Sequence, residues 1–197
     1  MQQQKIDIEA LKKDENFIAD MKKLEDEMYN QKSIEKGYML LGTKMAIEAS
    51  EDEINDIFTF IVNQAFDVLA DKLTQHKGFS ITNPEELATA RAIYEHGIQR
   101  YSEKDIKGAK EIFLVLHHTI EDHELKDSMM IHACAVMAGH TFEDFIDNLA
   151  DTSQIDEMSP TAFFIQEFVQ PKDILLQMFA KYVKLGKAEL KVLEESK

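Results

Sequence analysis

Residues 87–118, LATARAIYEHGIQRYSEKDIKGAKEIFLVLHH, and residues 125–150, LKDSMMIHACAVMAGHTFEDFIDNLA, decide the fold, because they read as one helical hairpin written twice. In the first copy Ile93, Gly97 and Tyr101 mark one helix, Ser102–Asp105 a tight turn, and Ile106, Ala109, Phe113 and Leu116 the face of a second helix. In the second copy the turn falls at Ala138–Thr141. An offset of about 34 residues carrying two helices is the period of stacked helical hairpins. One such hairpin cannot bury its apolar face alone, so copies stack into a right-handed superhelix with a concave groove that suits peptides. A binding protein is the first expectation.

Composition agrees with an all-α chain. Of 197 residues, 44% are hydrophobic, only 7 are Gly and 3 Pro, none is Trp and 10 are Met. Few helix breakers and many Leu, Ala, Lys and Glu favour helix throughout. Apolar runs such as DIFTFIVNQAF (56–66) stop well short of the roughly 20 residues needed to span a bilayer. The opening stretch MQQQKIDIEALKKDE lacks the apolar core of a signal peptide. The lone Cys134 allows no internal disulfide. These readings point to a cytoplasmic chain without membrane insertion.

The net charge is −15, and it is unevenly spread. Residues 111–160 hold eleven acids against one base, Lys126, for a local charge of −10. Such a surface repels phosphate backbones, which argues against nucleic acid. It suits a basic partner segment, or simply keeps the chain solvated.

Ahead of the doubled hairpin, residues 4–30 carry a narrow apolar stripe of Ile8, Leu11, Phe17, Met21, Leu24 and Met28. A stripe of this kind needs cover from the rest of the chain or from a second copy. Ile34, Tyr38, Leu41 and Met45 continue at helical spacing. Ser50 followed three residues later by Glu53 has the form of a capping box and opens a strongly apolar helix through Leu73. HKGFSITNPEEL (76–87) is the clearest break, with Asn83 before Pro84 as a helix start. The division expected is an N-terminal helical region, 1–82, serving dimerisation or covering the groove, and a repeat domain, 83–197. Within the latter, TAFFIQEFV (161–169) is expected as a helix ended by Pro171, and residues 173–195 as a capping helix with a turn at Gly186.

Candidate chemistry is sparse. His117, His118, His123, His132 and His140 cluster in sequence near Glu121, Asp122 and Cys134, and a metal-dependent helical enzyme centred on them is one alternative. Their spacing matches no HExxH, CxxC or Glu-x-x-His pattern. Cys134 lies among Ala and Met on an apolar helix, and His132, two residues away, projects from another face. No catalytic residue, metal ligand or cofactor is therefore assigned. Tyr94, Ile98 and Tyr101 form a stripe on the first helix of the first hairpin, and Met130, Cys134 and Met137 a similar one on the second. Tyrosine and methionine make adaptable linings for an extended peptide, and equally ordinary helix-packing core.

Tyr101, Ala109, Phe113 and Leu116, then Ala133, Cys134 and Gly139, carry a resemblance. The segment of about 60 residues around them resembles the tetratricopeptide-repeat chaperones of type III secretion translocators. The resemblance implies an acidic cytoplasmic chaperone that sequesters a hydrophobic secreted client in its concave groove without catalysis. Carried over by position, it implies that Tyr94, Ile98, Tyr101 and Ile106 line that groove. The N-terminal region is longer than that family pattern, and a third repeat near Phe164 is poorly formed. A homodimer through the N-terminal helices and a general tetratricopeptide adaptor or flagellar export co-chaperone are the accompanying alternatives.

Overall fold

The computed structural model describes residues 8–195, with side chains through Val192. Its helices, in chain order, are α1 (Ile8–Leu11), α2 (Glu15–Gln31), α3 (Ile34–Ala46), α4 (Glu51–Thr74), α5 (Pro84–Ser102), α6 (Ile106–Thr119), α7 (His123–Ala138), α8 (Phe142–Asn148), α9 (Lys172–Met178) and α10 (Ala180–Glu195). Among the described residues there is no strand, only two isolated bridges, Phe79 with Ile120 and Ala150 with Phe168. The chain is all-helical, as its composition requires. It divides into two compact units between Val68 and Leu69, inside α4, whereas the sequence break suggested 82/83.

In the first unit each helix start is written locally. The Asp14 carboxylate accepts from the Asn16 and Phe17 amides, each at 2.9 Å, and Ser33 Oγ accepts from Lys36 at 3.2 Å. The capping box forms as read, with Glu53 N–H on Ser50 Oγ and Ser50 N–H on Glu53 Oε2, both at 3.3 Å. Met28, Ile34, Leu40, Ile57, Ile61 and Ala65 are buried. Of the N-terminal stripe, Met28 alone is fully buried, while Ile8, Leu11, Phe17, Met21 and Leu24 are half-buried. The pattern is also not one helix, because residues 12–14 interrupt it between α1 and α2, and residues 4–7 lie outside the described ones. Ile8, Leu11, Phe17, Tyr38, Met39 and Gly42 border a cleft of about 500 Å³.

The second unit holds α5–α10, in which α5 packs on α6 and α6 on α7. Asn83 Oδ1 caps α5 through the Glu85 and Glu86 amides at 3.0 and 3.2 Å, with Pro84 as the first helical residue. α5 and α6 approach closely at Gly97, where a Cβ would stand 2.8 Å from Ile112 Cγ2 and 3.0 Å from Phe113 Cε1. Both turns fall where the sequence put them, Ser102–Asp105 and Ala138–Thr141, but they stand 36 residues apart (138 − 102). The second copy does not close as the first does: α8 has 7 residues against 14 in α6, and it packs on α5 and not back along α7. α7 is buried on every side, from Ser128 continuously to Val136, so it is the central helix of this unit and not a one-faced outer one.

The C-terminal third corrects two expectations. Residues 161–169 are not helical; they run as turns and extended chain between the Pro160 and Pro171 brackets. Phe164 and Phe168 stand at i, i+4, a helical spacing, yet the backbone finds partners elsewhere. Asp151 N–H donates to Glu167 O at 2.9 Å and Val169 N–H to Leu149 O at 3.0 Å, pairing this stretch antiparallel with the end of the second hairpin. The C-terminal helix breaks at Phe179 and not at Gly186. Gly186 is buried within α10, where a Cβ would come within 2.7 Å of Leu114 Cδ2; the glycine lets α10 lie close against α6.

Candidate functional site

Tyr94 and Tyr101, two turns apart on α5, are both buried, and each hydroxyl reaches into the second hairpin. The Tyr101 hydroxyl donates to the carbonyls of His140 (2.9 Å) and Thr141 (3.2 Å) in the α7–α8 turn. Its ring meets Phe142 and Phe145 at centroid separations of 5.6 and 6.0 Å. Burial, followed by the nearby Asp144 and Glu143 charges, pushes its pKa upward. It ties the C-terminal end of α5 to the α7–α8 turn.

Tyr94 makes the more informative contact. Its hydroxyl lies 3.0 Å from His132 Nε2 on α7, and His132 Nδ1 lies 2.7 Å from the Ser128 carbonyl. A carbonyl only accepts, so Nδ1 carries the proton and Nε2 accepts the Tyr94 O–H. Tyr94 Oη in turn accepts the Ile165 N–H at 3.0 Å. Four groups are thus joined in one directional chain from residue 165 through α5 to α7. His132 is fully buried, which drives its pKa down to about 4 and keeps it neutral at ordinary pH. Burial pushes the Tyr94 phenol upward for the same reason.

Around this chain lies an aromatic cluster. Phe164 stacks edge-on against Tyr94 with centroids 4.9 Å apart, and His132 lies 4.7 Å from Phe145 and 6.1 Å from Phe168. Arg91 covers the Phe163 ring at 4.8 Å, a cation–π contact. Residues 161–168 therefore lie against α5 and α7 as an aromatic-rich segment, in turns through Phe164 and extended from Ile165 to Phe168.

The sequence-read lining residues divide accordingly. Tyr94, Tyr101, Met130 and Cys134 are buried by the chain itself and line no open groove as the structure stands. Met130 and Met137 sit under Gly186 of α10, with sulfur and terminal methyl 3.5 Å from where a Cβ would lie. Ile98 is half-buried, and Ile106, at the start of α6, is 45% exposed. Missing from that set were His132 and the Phe163, Phe164 and Phe168 trio. The bracket of two prolines was the signal available for the trio, since the i, i+4 spacing of Phe164 and Phe168 reads as a helix face.

The histidines separate in space. His117 Nδ1 meets the Lys126 carbonyl at 2.8 Å, His140 pairs with Asp144, and His132 belongs to the Tyr94 chain. Among the described residues, no three His, Cys, Asp or Glu side chains converge as a metal set would. Cys134 is fully buried and its thiol is pushed up to about 12, the reverse of an activated nucleophile. No helix among the described residues is long and apolar enough to cross a membrane. No family model, curated protein or solved structure matches this chain.

Proposed function

We propose that the chain is a non-catalytic binding protein whose α5–α8 hairpins take an extended apolar segment of another protein, in the manner of a secretion chaperone of the tetratricopeptide type. One observation carries the reading: the α5–α7 face already holds a non-helical segment, extended from Ile165 onward and anchored by a main-chain N–H on the Tyr94 hydroxyl and by phenylalanine rings on either side. Main-chain bonding plus side-chain pockets is how extended peptides are recognised in general. The second support is the α5–α6 hairpin, whose pattern the α7–α8 stretch repeats in sequence. The acidic surface of residues 111–160 favours client segments with basic flanks.

In this reading the client is a hydrophobic secreted protein held in the cytoplasm before export. The first unit, with half-buried stripe residues and exposed Met39 and Met45, is the surface assigned to a second copy of the chain. Co-expression with the products of neighbouring open reading frames, followed by affinity capture, tests the proposal. A hydrophobic secreted protein should co-purify stoichiometrically and be lost with Tyr94→Ala. Capture of such a client undiminished by Tyr94→Ala would move the binding surface elsewhere.

A further inference from the structure

We infer that residues 159–169 are an internal occupant of the α5–α7 face, and that the partner this face fits is an extended segment with an aromatic pair followed, four residues after its second member, by a third aromatic. This rests on the reading of α5–α7 as a peptide-binding surface and adds what regulates that surface and what it selects.

The segment buries Phe164 fully but is joined to the rest of the unit by few polar links. Its other hydrogen bonds stay within it or reach the stretch leading into it, among them Phe164 N–H on Thr161 O (3.0 Å), Ala162 N–H on Ser159 O (3.1 Å), Gln166 Nε2 on Thr161 Oγ1 (3.0 Å) and Ser159 N–H on Asp156 O (2.9 Å). Three main-chain donors or acceptors connect it to the rest of the unit, through Tyr94, Leu149 and Asp151. Leading into it is an exposed stretch, 152–158, in which Met158 is 90% exposed, and it is followed by exposed Val169 and Gln170 before Pro171. A space of about 230 Å³ lies between the segment and that stretch, bordered by Gln154, Ile155, Ser159, Ala162, Phe164 and Gln166. Detachment thus exposes few unsatisfied groups, and the Tyr94 hydroxyl is left free to accept a main-chain N–H from an incoming chain.

Selectivity follows from the geometry of the occupant. Phe163 is met by Arg91, Phe164 by Tyr94, and Phe168 by His132 and Phe145, so each ring has a separate receiving group. The main-chain N–H that the Tyr94 hydroxyl accepts belongs to the residue directly after the aromatic pair, Ile165. A competing segment must reproduce that order.

A fluorescein-labelled peptide of residues 157–171 is a probe that needs no identified client. Ala150 and Phe168 face each other as a non-hydrogen-bonded antiparallel pair, close enough for a disulfide. In a Cys134→Ser background, Ala150→Cys with Phe168→Cys should bind the peptide when reduced and at least about tenfold more weakly when oxidised, because the competent state is removed. Phe164→Ala, which loosens the internal copy, should bind it about tenfold more tightly than the unaltered chain. Hydrogen exchange on the unaltered chain guards against variants that fail to fold: amides of 161–169 should exchange at least about tenfold faster than those of α7. Equal protection of the two, or peptide binding indifferent to oxidation, overturns the inference. If secreted clients bind neither redox form while the peptide binds the reduced one, the secretion role fails and the internal occupant stands.

Discussion

The Tyr94 hydroxyl and His132 Nε2, 3.0 Å apart in the fully buried contact between α5 and α7, form the middle of a hydrogen-bonded chain that also fixes Ile165 and the Ser128 carbonyl. Every member is satisfied, which is what makes a polar group tolerable at that depth. Tyr94→Phe keeps the ring against Phe113, Phe164 and His132 and removes only the oxygen. It leaves His132 Nε2 and the Ile165 N–H without their partner, a loss of about 1–3 kcal/mol. Thermal or urea unfolding followed by circular dichroism measures it. A variant as stable as the parent would mean that the chain of bonds contributes no net stability.

The same burial makes stability depend on pH with a defined sign. His132 titrates near 6.5 when unfolded and near 4 when folded, so between these values the unfolded chain holds the extra proton. Its contribution is complete above about pH 6.5 and is lost as pH falls through the window to about 4, up to roughly 3 kcal/mol. His96 and His117, also lowered by burial, add to the same slope. His132→Gln retains an acceptor for Tyr94 without the titration. Urea midpoints collected from pH 7 to pH 4.5 should fall less steeply for this variant than for the parent. Parallel profiles would show that His132 does not titrate in the window.

What could be read before the structure was whatever residues state locally. Asn83–Pro84, Ser50–Glu53 and the two turns are short-range signals, and each marks a boundary of the folded chain. Partnership was not legible. Tyr94 and Tyr101 keep the spacing of an exposed stripe, and nothing adjacent to them announces that residues 38 and 39 positions later will take their hydroxyls. Residues 161–169 are apolar enough for a helix, and tertiary pairing with Leu149–Asp151 overrode that preference. Gly186 looked like a turn because glycine usually breaks helices; its role is close approach, which depends on where Leu114 lies.

Glycine supplies a paired test of that packing. In α3, a Cβ at Gly42 meets nothing within 4 Å, so Gly42→Ala should stabilise by about 0.5–1 kcal/mol through helix propensity alone. At Gly97 the same methyl would press on Ile112 and Phe113 at 2.8 and 3.0 Å. There the propensity gain is outweighed, and Gly97→Ala should destabilise by about 1–3 kcal/mol. Opposite signs in the two melting temperatures are expected. A stabilising Gly97→Ala would show that α5 and α6 separate more readily than their contact implies.

Cys134 gives the last test, and it also probes whether the α7 core opens at all. The thiol is fully buried and raised to about 12, so almost none of it is thiolate at pH 8. Iodoacetamide at that pH should leave the native chain unmodified over times that fully alkylate the urea-unfolded chain, as read by intact mass. Release of residues 159–169 uncovers the Tyr94–His132 side of α7, while Met130 and Met137 stay covered by α10. Labelling should therefore remain slow even in Phe164→Ala. Rapid native labelling would require α7 itself to leave its neighbours, and would place the mobile element in the helices and not in the segment laid over them.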